Sequence, residues 1–142
     1  MRIREMVLFT QTAIAAIGGW LGWILGGLDG LLYALITFVV VDYVLGVFCA
    51  IIERKLSSSV GAQGIFKKVV IFTLVGVAHV VDSKLIGDGS AIRTAVIFFY
   101  LSNEGISIID NATRLGLPVP TKLVNILEQL KDGGSKNGRK GT

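Results

Sequence analysis

Residues 6–28 read MVLFTQTAIAAIGGWLGWILGGL and residues 31–52 read LLYALITFVVVDYVLGVFCAII, and these two stretches decide the fold. The first carries no charged residue and the second carries only Asp42. A helix needs about 20 mainly apolar residues to cross a hydrocarbon layer of about 30 Å. Both stretches are long enough, and Asp29-Gly30 between them predicts a very tight hairpin. The second has fourteen Leu, Ile, Phe or Val residues among its twenty-two. Their summed insertion energy, roughly −4 to −8 kcal/mol, outweighs the ~3 kcal/mol penalty of one central carboxylate. The span inserts despite Asp42, which then wants a polar partner or water beside it; Gly46, one turn later, leaves room for one.

The rest of the composition agrees. Of 142 residues, 52% are hydrophobic and 17% are charged, against about 25% charged in soluble domains. The first stretch is too long for the roughly 7–15-residue core of a secretory signal, and Ala13-Ile14-Ala15 lies inside it rather than after it. It reads as a retained helix. The single Cys49 sits within the second span, so no intramolecular disulfide is available. One His and one Cys cannot build a metal cluster, and no enzyme motif or cofactor site is recognisable. The net charge of +4 does not predict nucleic-acid binding, because the basic residues flank hydrophobic segments.

The fold class expected is an all-α integral membrane protein with about four transmembrane helices and a C-terminal amphipathic helix. The spans fall at 6–28, 31–52, 69–86 and 91–114, within a membrane domain covering 1–114. The loop 53–68 carries Arg54, Lys55, Lys67 and Lys68, read as basic anchors at a cytoplasmic surface. With the basic amino terminus and tail, it predicts that both termini are cytoplasmic. After Pro118 and Pro120, residues 115–131 contain a cytoplasmic amphipathic helix capped by Thr121, with Leu123, Val124, Ile126, Leu127 and Leu130 on one face. Residues 132–142 read as a flexible basic tail.

Three features point towards function. Gly18, Gly22 and Gly26 recur every four residues in the first span, a pattern that lets helices approach closely in lipid, either within one subunit or between subunits. On the fourth span, Arg93, Tyr100, Asn103, Glu104, Ser107, Asp110, Asn111 and Arg114 fall within an arc of about 100°. Alone in lipid that helix is marginal. Its stripe suits either a pore lining shared among subunits or a polar seam, in the bundle or at the membrane surface. His79 and Asp82, three residues apart, are candidates for a hydrogen-bonded or proton-sensing pair at the membrane edge.

Several stretches together resemble the toxin-secretion and phage-lysis holin family of Gram-positive bacteria and their phages. They are Asp42-Tyr43-Val44-Leu45-Gly46; the loop KLSSSVGAQGIFKK at 55–68; YLSNEGISIIDN at 100–111; and GLPVP at 116–120. The resemblance covers roughly residues 35 to 131. Asp110 departs from it, standing where Glu is more usual, with the chemistry kept. The resemblance implies a non-enzymatic protein of the bacterial cytoplasmic membrane that oligomerises with itself. It then opens lesions releasing an endolysin or a toxin, without necessarily binding that cargo. Met1 and Met6 bracket Arg2, Arg4 and Glu5, as in holins with two start codons, but a plain basic flank explains the same residues. Two other classes fit the residues alone. One is a small ion channel or secondary transporter using Asp42 and Glu104 as ion sites. The other is a membrane adaptor presenting residues 121–131.

Overall fold

The computed structural model describes residues 2–129. Four long helices follow one another: α1 (Ile3–Ile24), α2 (Gly30–Ile52), α3 (Ser58–Val80) and α4 (Ala91–Arg114). Each is long and apolar enough to cross a membrane, α3 together with the π-helical turn Val81–Ile86 that prolongs it. A short helix, 121–129, follows α4. The chain is an all-helical, multi-pass membrane protein. Leu130 and Lys131 of the expected terminal helix, the tail 132–142 and the start at Met1 lie outside the described residues.

Local chemistry sets the helix boundaries. The Asp29 side chain accepts the Leu32 amide at 2.9 Å and starts α2 at Gly30, so the turn between the first two helices is residues 25–29 rather than Asp29-Gly30. Ser57 caps α3 in the same way through the Val60 amide at 3.1 Å. The third helix therefore starts at Ser58, well before Val69, and much of the expected polar loop is its first three turns. The first helix ends at Ile24 rather than Leu28. Gly26 and Gly27 follow with φ near +90° and +101°, a conformation that breaks a helix and that glycine adopts without strain.

Helices α2, α3 and α4 form the bundle. Its core is Leu32, Leu35 and Val39 from α2, Ile71 and Val75 from α3, and Ile97 and Leu101 from α4. Helix α1 buries none of its residues and meets the bundle at its C-terminal end, where Ile24 and Leu25 lie on Gly76 of α3. Exposed apolar side chains such as Phe9, Ile14, Trp20 and Trp23 suit a helix bathed in lipid. The bundle has a basic end, carrying the 53–57 loop and the exit from α4, and a turn end, carrying the 25–29 and 87–90 turns.

Candidate functional site

Asp42 is buried on the inner face of α2, about midway along the helix. Its partner comes from α3. Lys68 Nζ donates to Asp42 Oδ2 and to Glu104 Oε2 of α4, the latter at 2.5 Å. Asn111 Nδ2 donates to Asp42 Oδ1 at 3.2 Å, and Cys49 Sγ donates to the Asn111 carbonyl at 3.4 Å. One ammonium thus ties three helices together through two carboxylates. Their side chains are each 8% exposed, against 19% for the lysine. In hydrocarbon a polar side chain must find such partners, because water is absent to solvate it.

The cluster borders a cavity of about 230 Å³ towards the basic end, between α2, the start of α3 and α4. Glycines shape its wall. Gly61 and Gly64 of α3 lie against Tyr43, whose hydroxyl donates to the Gly61 carbonyl at 3.3 Å, and Gly46 faces Asn111. At the rim, Arg114 holds Glu53 through Nε at 3.1 Å and Nη2 at 2.5 Å. That guanidinium keeps the Glu53 carboxyl below the usual carboxylate range.

A second polar knot closes the turn end. Arg93, 3% exposed, donates from Nε to the Leu25 carbonyl at 2.6 Å and from Nη2 to the Gly27 carbonyl at 2.9 Å. It also grips Asp29 through Nη1 at 2.7 Å and Nη2 at 3.3 Å. Asp82, on the π-helical turn, accepts the amides of Ile92 and Arg93 at 3.1 and 2.8 Å and so caps α4. A Cβ on Gly26 would lie 2.7 Å from Arg93 Nε and 2.8 Å from His79 Nδ1, so this position has no room for a side chain.

The predicted polar residues are thereby divided between two places and a surface. Of the α4 stripe, Arg93, Glu104 and Asn111 are buried. Tyr100, Asn103 and Ser107 are half-buried, and Asp110 and Arg114 are exposed. Arg54, Lys55 and Lys67 lie exposed, whereas Lys68 turns inward to Asp42 and Glu104. Gly18 and Gly22 face open space on α1; Gly26 is past the helix end, in the turn under Arg93. His79 lies beside Gly26, and the carboxylate three residues on binds the start of α4.

The terminal helix folds back on the bundle. Leu127 is buried over Gly105, where a Cβ would meet its methyl carbons at 2.9 and 3.1 Å and the Phe38 ring at 3.3 Å. Gly105 stands nine residues before the end of α4, about 13 Å along a helix rising 1.5 Å per residue. The segment 121–129 therefore lies back alongside α4 instead of projecting from it.

The profile of the bacteriophage holin family matches residues 19–132. That range includes both polar knots and the terminal helix, and leaves out most of α1. An uncharacterized protein of Listeria innocua is 39% identical over 122 residues, 86% of either chain. An uncharacterized 14.9 kDa protein of Clostridium perfringens, in the nagH 3′ region, is 35% identical over 92% of this chain and 98% of its own. An uncharacterized protein of Bacillus subtilis, YtkC, is 31% identical over 91% of this chain and 94% of its own. No solved structure matches.

Proposed function

Since this chain belongs to the bacteriophage holin family, we propose that it acts as a holin. In this reading it accumulates in the bacterial cytoplasmic membrane with both termini inside. It then associates with copies of itself and opens lesions that release an endolysin or a secreted toxin.

The observation that carries the reading is the state of the α4 stripe within one subunit. Glu104 and Asn111 are shielded against Lys68 and Asp42, so a single copy can sit in lipid with its most costly groups paired. The same helix has enough polar surface to line water if neighbouring subunits open the bundle. The stripe is a closed seam in the stored protein and a pore lining in the lesion. Gly18 and Gly22 on the uncovered α1 support close self-association.

A channel or transporter reading draws on the same Asp42 and Glu104. The two separate by what passes. Vesicles holding a folded enzyme, with the purified protein reconstituted at rising density, test the proposal. A holin releases the enzyme above a threshold density; ion flux with the enzyme retained would favour the channel. The adaptor reading is weakened by Leu127, which the bundle itself buries.

A further inference from the structure

Charge does not balance in the buried cluster. Asp42 and Glu104 bring two carboxylates and Lys68 one ammonium, which leaves one negative charge uncompensated. Among the described residues, no other charged group faces them to make up the difference. On α3, Lys67 points out and is exposed. Arg114 holds Glu53 at the rim and touches the cluster only through the Asn111 amide oxygen at 3.4 Å, and Arg93 is committed to Asp29 at the other end of the bundle. The remaining neighbours are the neutral Tyr43, Cys49, Ser107 and Asn111. On the terminal helix, Lys122 and Glu128 are exposed, and α1 presents no charge to the site.

Lys68 Nζ touches one oxygen of each carboxylate, which puts those two oxygens no more than about 5 Å apart. Carboxylates sharing a site do not both ionise readily, and a net charge inside hydrocarbon is expensive. A metal ion is a poor counter-charge here. The position between the carboxylates is filled by Lys68 Nζ, and hard cations want about six oxygen ligands. A proton needs only one carboxylate oxygen.

We propose that Asp42, Glu104 and Lys68 form a proton-binding site that holds one exchangeable proton on its pair of carboxylates and is reached through the glycine-walled cavity at the basic end. The proton comes from water in that cavity and returns there; no other bond is made or broken. With it the cluster is neutral and α2, α3 and α4 stay clamped. Without it a net charge is left in the seam, which then favours hydration. This assignment concerns the resting subunit and does not require that lesions form.

Infrared spectra of the purified protein in phosphatidylcholine vesicles at neutral pH test it. Wild type should show the carbonyl band of one protonated carboxylic acid, shifting in heavy water. Glu104→Gln or Asp42→Asn should each remove it, because one carboxylate against one ammonium is already neutral. Lys68→Met should double it, since two carboxylates then need two protons. Filling the cavity with Gly46→Leu should slow its exchange with heavy water. Circular dichroism identifies variants that keep the helical fold, and any one of the three charge changes suffices for the count. No acid band in wild type, or a band that persists unchanged in the folded variants, would overturn the site. Enzyme release from the same vesicles is scored separately, so failure to form lesions and failure to bind the proton are distinct results.

Discussion

Replacing Lys68 with Met is the most informative single change, because it removes one charge from a cluster joining three helices. Removing one partner of a buried ion pair costs about 3–5 kcal/mol. An independent route gives a similar figure. Each stranded carboxylate can instead take up a proton. At pH 7, about three units above an ordinary carboxyl value and at about 1.4 kcal/mol per unit, that uptake costs about 4 kcal/mol. The lysine is partly exposed, so the lower end, about 3 kcal/mol, is expected. Unfolding of the purified protein in mixed detergent micelles measures it. Because the folded variant must bind a proton that the unfolded chain releases, its stability should fall as pH rises, by about 1.4 kcal/mol per unit per proton. Replacing all three residues, as Asp42→Asn, Lys68→Met and Glu104→Gln together, leaves no charge and should recover most of the loss. A single variant as stable as wild type, or a triple variant no better than the single, would mean that charge pairing in this cluster does not hold the three helices together.

Other positions make separate claims. Gly26→Ala should destabilise the turn end by about 2 kcal/mol or more, through left-handed strain and displacement of Arg93. Gly22→Ala, within α1 and with open space around it, should not weaken the subunit against unfolding, stabilising it by up to about 1 kcal/mol, and should alter crosslinking between copies. Gly105→Leu should push Leu127 off α4 at a cost of about 1–3 kcal/mol, read as faster tryptic cleavage at Lys122, whereas alanine asks only a small shift of a flexible methyl. Arg93 hydrogen bonds hold the Asp29 carboxyl below its ordinary value of 3.8. The stability this pair supplies is therefore complete above that value and lost as pH falls through the lowered one. An acid titration of unfolding in Asp29→Asn should lack that step.

Much of this arrangement is legible in the residues. Apolar length alone finds α1 and α2, and the need of Asp42 for a partner follows from its place in an apolar run. The partner itself is hidden. Lys67-Lys68 reads as a surface pair when the third span is started at Val69, because hydropathy, not helicity, sets that boundary. Ser57 is the missed signal: a capping residue followed by a stretch without proline starts the helix eleven residues earlier. The two lysines then differ by about 100° around the axis, one outward and one inward. The fate of Arg93 and Asp82 is not legible either. A helical wheel places Arg93 on the α4 stripe, but its contacts depend on where a distant turn brings the carbonyls of Leu25 and Gly27. Gly26 belongs by spacing to the α1 face and in fact to that turn, since the Gly26-Gly27 pair ends the helix before it.

The most direct test of the holin reading is membrane potential in bacteria expressing the chain, followed with and without a brief uncoupler pulse. Harmless accumulation is expected, then abrupt depolarisation that the pulse brings forward, with Glu104→Leu accumulating normally and failing to depolarise. A potential that stays intact at high expression, or normal timing in that variant, would contradict it.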